Sequence, residues 1–230
     1  MAPIATARKY DTFADVLERI SNVPAHRILL NPPPGTATEA DLLDSATTGG
    51  RDCELVGGIL IERPTSFWAG LLPIRIASSI YNFTEKDNLG VVAGSRGAIH
   101  LASGLVRMPS LSFIRWDSVD DTDVIENPDG AFLEAAPDLV VEVLCPDNTT
   151  REMAIKLDEY AKAGVRLVWY VDPTREEVTV YPKGRERGKK VVGTDGVIDG
   201  GDVLPGFVLP VAKIFEKRGP TKKGKKKDKS

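Results

Sequence analysis

Residues 137–144, Pro-Asp-Leu-Val-Val-Glu-Val-Leu, set one carboxylate, Glu142, inside an otherwise apolar run, with Asp138 four positions before it and Lys156 fourteen after it. Burying an ionised carboxylate is costly unless a metal ion, a lysine or solvent compensates the lost hydration. A carboxylate-held Mg²⁺ polarises a phosphate and lowers the pKa of an attacking water, and a nearby lysine offsets charge gathering on the phosphate oxygens. Metal-assisted phosphodiester hydrolysis is therefore the chemistry these three side chains could carry. The plainer readings are that Glu142 lines the solvent side of a half-covered strand and that Lys156 is a surface lysine.

The elements that must position them are legible. Side chains alternate along a strand, so Asp138, Val140, Glu142 and Leu144 share one face and Leu139, Val141 and Val143 the other. Asp138 and Glu142 are then roughly 13 Å apart along a straight strand, whereas each ligand of one Mg²⁺ approaches to about 2.1 Å. Unless the strand bulges, the second carboxylate must come from a neighbouring strand or helix. Thr149 with Glu152 three residues on forms a capping box and Gly164 a stop, which predicts a helix over 150–163. Lys156 lies on that helix in line with Met153 and Tyr160, at the edge of the stripe Ala154, Leu157 and Ala161. Residues 165–171 are a second apolar strand, and strand, helix, strand with short links predicts parallel pairing.

Elsewhere the spacing of Phe13, Val16, Leu17 and Ile20 predicts a helix over 11–21, followed by a breaker cluster at 31–35 and a helix over 38–45. Residues 53–62 read as a hairpin around Gly57 and Gly58. Residues 66–83 form a long apolar helix that Pro73 should kink or start. Short β segments follow at 91–93, 98–101 and 105–114, then an acidic loop at 117–134. Residues 177–181 are a strand, the next loop holds Lys183, Arg185, Arg187, Lys189 and Lys190, and 202–215 are a final edge piece. The expected organisation is an N-terminal helical arm over 1–50, one α/β (α+β) domain over 51–216 and a disordered basic tail over 217–230.

Of the 230 residues 42% are apolar and 27% charged, values of an ordinary globular chain. Cys53 and Cys145 lie far apart without histidines at ligand spacing, which suggests neither zinc nor a disulfide framework, and a reducing cytoplasmic setting is expected. No run approaches about 18 apolar residues and the start lacks a signal-peptide core, so a soluble protein without a membrane partner is expected. Residues 217–230 carry eight Lys or Arg and one Asp, while the other 216 hold 22 basic against 32 acidic residues. An acidic body counts mildly against a non-specific grip on nucleic acid. A homodimer is a possible assembly.

The segments Ala-Pro-Asp-Leu-Val-Val-Glu-Val-Leu-Cys-Pro at 136–146, 148–173 from Asn-Thr-Thr-Arg-Glu to Trp-Tyr-Val-Asp-Pro, Cys-Glu-Leu-Val-Gly-Gly-Ile-Leu at 53–60 and Val-Leu-Pro-Gly-Phe at 203–207 resemble the Uma-type restriction endonucleases of the PD-(D/E)XK nuclease superfamily. The resemblance covers roughly residues 50–216. It implies a restriction-endonuclease-like mixed β-sheet flanked by helices and an endonuclease centre that uses Mg²⁺ or Mn²⁺ on DNA. Glu142 would be a metal ligand, Lys156 the amine moved from strand to helix, and Glu54 or Asp138 a further acid. The family's Arg-x-Pro-Asp element reads Arg107-Met108-Pro109-Ser110 here, so a serine stands where the neighbouring-strand aspartate belongs. A neutral hydroxyl is a poor Mg²⁺ ligand beside a carboxylate, which implies an impaired or inactive member. Cys145 likewise replaces a usual serine.

Overall fold

The computed structural model describes residues 10–47, 49–119 and 130–217. Most of the acidic loop and all but Lys217 of the basic tail lie outside the described residues. A six-stranded sheet is the frame: β3 (Gly90–Gly94), β6 (Leu111–Arg115), β7 (Leu139–Val143), β8 (Leu167–Asp172), β9 (Glu177–Pro182) and β10 (Lys190–Val192), in spatial order β10-β9-β8-β7-β6-β3. Only β7 and β8 pair in parallel, and helix α4 (Thr150–Ala163) links them, as the strand, helix, strand pattern predicts. The other neighbours in this sheet are antiparallel.

Both faces of β7 are covered, each by the residues that alternation assigns to it. Leu139, Val141 and Val143 join a core with Leu72, Ile76 and Ile80 of helix α3 (Phe67–Thr84) and with Phe207 of β12 (Leu204–Pro210). Trp169 is fully buried there and stacks on Phe207 at 6.2 Å. Val140 packs on the opposite face against Met153, Leu157 and Tyr160 of α4. Burying each such large apolar side chain stabilises by about 1.5–3 kcal/mol. The capping box at Thr149 and Glu152 forms, and Gly164 closes α4 in the left-handed conformation at φ 99°.

A four-stranded sheet lies alongside, built from β1 (Cys53–Val56), β2 (Ile59–Glu62), β4 (Ile99–Ala102) and β5 (Leu105–Arg107) in order β2-β1-β5-β4. Its β1–β2 turn is the Gly57-Gly58 hairpin, with both glycines at positive φ. Helix α1 (Phe13–Arg19) and the chain after it pack Val16, Ile20, Val23 and Ile28 onto Val56, Ile59 and Ile61. Helix α2 (Glu39–Thr47) sets Leu42 against Cys53 and Leu55. The hairpin β11 (Val197–Gly200) with β12, and the short helix α5 (Val211–Phe215), complete the strands and α-helices among the described residues.

Two expectations need correction. Residues 105–114 read as one strand, but the chain breaks at Met108-Pro109-Ser110: β5 pairs with β1 and β4, and β6 with β3 and β7. Pro109 has no N–H to donate to a ladder, and the Met108 N–H donates to a side chain, Glu54 Oε1, at 3.2 Å. The long helix expected over 66–83 forms as α3, but of the kink or later start expected at Pro73 it does not take the later start. It starts after Ser66, whose hydroxyl accepts the Ala69 N–H, and runs through the proline, which is buried.

Candidate nuclease centre

The break between β5 and β6 brings the two sheets together over α4, and there the charged groups converge. Glu54 is on β1, Arg107 ends β5, Glu142 is on β7, and Lys156, Glu159 and Tyr160 are on α4. Lys156 Nζ donates to Glu54 Oε1 at 2.9 Å and to Glu142 Oε1 at 3.2 Å. Tyr160 Oη donates to the same Glu142 oxygen at 2.7 Å. Arg107 Nη1 donates to Glu54 Oε2 at 2.7 Å, and its Nε and Nη2 both reach Glu159 Oε2, at 2.9 and 2.7 Å. Glu54 is 0% exposed, Lys156 and Arg107 4% and Glu142 5%.

Electrostatics follow from that geometry. Burial pushes the Glu54 carboxyl up, but the Lys156 and Arg107 cations more than offset it and hold the group well below the ordinary carboxylate range. Burial pushes Lys156 down, and the Glu142 and Glu54 carboxylates overcome it, so its ammonium is held more firmly than in water. Burial, then the charges of Glu142 and Glu54, push the Tyr160 phenol far up, so it stays a neutral donor. The cluster is a charge-compensated network in which an ammonium bridges two carboxylates.

The expected site residues therefore separate. Glu54, Glu142 and Lys156 are brought together, although Glu54 and Lys156 are 102 positions apart in sequence. Asp138 is placed elsewhere, at the other end of β7. Its Oδ2 accepts the Arg115 N–H at 2.8 Å, and its Oδ1 accepts from Ser118 Oγ and Arg166 Nη1, each at 3.0 Å. Strand β7 keeps a continuous register with β8 from Leu139 to Val143, so no bulge draws Asp138 toward Glu142. Ser110 stands where a neighbouring-strand acid would be. One step beyond the Leu111–Val141 pair it lies opposite Glu142, and its hydroxyl accepts the Val143 N–H at 3.0 Å.

The donor set does not fit a divalent ion as it stands. Both oxygens of Glu54 are engaged by Lys156, Arg107 and the Met108 N–H, and Oε1 of Glu142 by Lys156 and Tyr160. What remains is Glu142 Oε2 and the Ser110 hydroxyl, far short of the oxygen-rich shell a hard cation needs. Among the described residues no group of three or more His, Cys, Asp or Glu is disposed to hold a metal. A cavity of about 290 Å³ reaches Arg107 and Glu159, yet Glu54, Glu142 and Lys156 do not line it.

Arg107 and Tyr160 are members of the cluster to which sequence reasoning gave no role. Tyr160 carried a usable signal, lying one turn beyond Lys156 on the same side of the helix; Arg107 carried one as the first residue of the Arg-Met-Pro-Ser element, where attention fell on Ser110. A second buried pair also escaped it. Arg27 Nη1 and Nη2 clamp Glu152 at 3.0 and 2.9 Å, both side chains 4% exposed.

A mixed sheet flanked by helices, with glutamates and a helix lysine meeting at the end of its parallel pair, defines a nuclease-like fold. A family model described as Uma2, putative restriction endonuclease, matches residues 40–212, and the chain belongs to that family. Among solved structures, the crystal structure of a putative nuclease belonging to DUF820 from Anabaena variabilis ATCC 29413 is similar with a TM-score of 0.60. Its identity is 18%, over 71% of this chain and 89% of that one, a likeness of fold. A comparison with curated proteins finds no match. No helix among the described residues is long and apolar enough to cross a membrane.

Proposed function

We propose that this protein is a DNA-acting member of the nuclease fold in which Mg²⁺- or Mn²⁺-dependent hydrolysis of phosphodiester bonds is impaired. The observation that carries the reading is Ser110: the position facing Glu142, just before β6, offers a hydroxyl already tied to the Val143 N–H, where a second free carboxylate would be needed. Glu142 and Lys156 are the groups that would act on a phosphate, and Glu54 fixes the lysine. Purified protein is incubated with Mg²⁺ or Mn²⁺ and single-stranded, duplex or supercoiled DNA, beside Glu142→Ala and Lys156→Ala. Slow or undetectable cleavage by the wild type supports the reading. Rapid metal-dependent cleavage that Glu142→Ala abolishes would overturn it.

A second reading, a catalytically silent protein that binds DNA or a protein partner, is favoured by the closed ion pairing around Glu54. Salt-dependent DNA binding without cleavage would support it, and its loss on removing residues 217–230 would locate the phosphate contacts in the basic tail.

A further inference from the structure

Helix α3 is apolar on both sides. Its inner face, Leu72, Ile76 and Ile80, is 0% exposed and belongs to the main core. Its outer face nonetheless carries Phe67 at 80%, Ile74 at 68% and Tyr81 at 53% exposure. Exposed Ser78 and Asn82 rim the apolar three, a pattern that marks an interaction surface. These three residues are spaced by seven, so they form one stripe that drifts only about 20° per repeat. Arg75 is the single charged residue of the eighteen, and its Nη1 is turned onto Ile214 O at 2.8 Å. Depletion of charge, with aromatic side chains at the ends, is the composition of an interface centre.

Gly70 lies within this stripe. Glycine inside a helix costs up to about 1 kcal/mol relative to alanine, and here the chain's own packing does not demand it: a Cβ at Gly70 would meet nothing within 4 Å. The close approach of a second helix would give so small a residue a use.

The stripe is also complementary to itself. Turned antiparallel about Ile74, it sets Phe67 opposite the partner's Tyr81 and Gly70 opposite the partner's Ser78, all exposed positions. Large residues meet at both ends, small ones meet between, and Ile74 meets its own copy, as a two-fold interface requires. Phe67, Ile74 and Tyr81, with Trp68 packed edge-on against Phe67 at 6.5 Å, expose roughly 500 Å² per copy. Covering them completely in a pair buries roughly 1,000 Å², the lower bound for a specific interface.

We infer that the outer face of α3 is the surface through which two copies of this chain pair, antiparallel about Ile74. This is independent of whether the Glu142 centre cleaves DNA. Sedimentation equilibrium of the full chain from low to high micromolar concentration should show a dimer, and Ile74→Glu, an exposed change that leaves the monomer core intact, should raise its dissociation constant at least 100-fold. Under mild oxidation Ile74→Cys should give a disulfide-linked dimer, because two helices at contact distance bring facing Cα atoms within bridging range. Asn82→Cys on the same helix should not, since it and its copy would be roughly 24 Å apart. The native Cys53 and Cys145 are buried and give the wild-type baseline. A monomer across the range, a dimer indifferent to Ile74→Glu, or equal cross-linking at 74 and 82 would overturn the inference.

Discussion

Ser110 lies across from Glu142, and its Oγ accepts the Val143 N–H at 3.0 Å. The hydroxyl closes a backbone hydrogen bond at the place where β6 begins, immediately after the Pro109 break. An acid there would have faced the Glu142 carboxylate, and two buried carboxylates repel unless a cation joins them. With serine, Glu54 and Glu142 are met by Lys156 and Arg107, and Arg107 is shared with Glu159. Ser110 and the bridging lysine therefore belong to one arrangement, in which the chain's own cations hold the buried acids.

Lys156→Met should be strongly destabilising. Removing one member of a buried ion pair leaves the others uncompensated and costs about 3–5 kcal/mol; here both Glu54 and Glu142 lose their shared donor. Urea unfolding followed by circular dichroism measures it. A loss below about 1 kcal/mol would mean that the bridge contributes little.

The same network predicts a window of pH stability. Glu54 has its folded pKa lowered from 4.5, so its contribution is present above the unfolded value and is lost as pH falls through the depressed folded one. Lys156 has its pKa raised from 10.5, so its contribution is complete below the unfolded value and is lost as pH rises through the folded one. His100 adds a separate step. Its Nδ1 is 2.6 Å from Glu134, and Glu39 lies 3.2 Å from Nε2; the Glu134 hydrogen bond, partly opposed by burial and helped by both charges, raises its pKa from 6.5. Its contribution is full below pH 6.5 and disappears as pH rises through the raised value. Stability against pH should show that step in the wild type and not in His100→Asn, and should otherwise stay level between roughly pH 5 and pH 8; above that, Cys53 and Cys145, whose thiols burial pushes up from 9.0, begin to lose their contribution.

How much of this was legible in the sequence depends on where each partner lies. Helix α4, the parallel β7–β8 pair and the two faces of β7 came from local signals: a capping box, a closing glycine, alternation. The meeting of Glu142 with Lys156 follows from one strand, one turn and one helix, all within 15 residues. Glu54 and Arg107 arrive from a second sheet, and no local pattern specifies how two sheets pack. The split of 105–114 was hidden for the same reason, because Leu105, Val106, Leu111 and Phe113 suit one long strand as well as two. Asp138 was legible as an acid but not as a structural one, since Arg115, Ser118 and Arg166 converge on it only in the folded sheet.

Asp138→Ala should weaken the fold and leave any cleavage unchanged. It strips the Arg115 N–H of its acceptor and Arg166 of its charge partner, a cost of about 1–3 kcal/mol for groups left without partners in a part-buried setting. Thermal unfolding should report the loss, and cleavage per folded molecule should match that of the parent. A selective collapse of cleavage with no change in stability would instead make Asp138 a working ligand.

Arg27→Ala should loosen the N-terminal segment from α4. The Glu152 carboxylate, 3% exposed and held below its ordinary pKa against burial by Arg27 and Lys156, would lose both guanidinium hydrogen bonds. A destabilisation of about 3–5 kcal/mol is expected, with early proteolysis between residues 10 and 47. Unchanged resistance to protease would argue that the apolar contacts of Val16, Ile20 and Ile28 hold the segment unaided.

The most direct measurement is metal-dependent cleavage of DNA by Ser110→Asp beside the wild type, with Glu142→Ala added to the variant as control. The new carboxylate, opposite Glu142, is expected to give Mg²⁺ or Mn²⁺ a second free acid and to raise the cleavage rate at least tenfold, and Glu142→Ala to remove the gain. A wild type that already cleaves as fast as Ser110→Asp would contradict the claim that the serine is what impairs the centre.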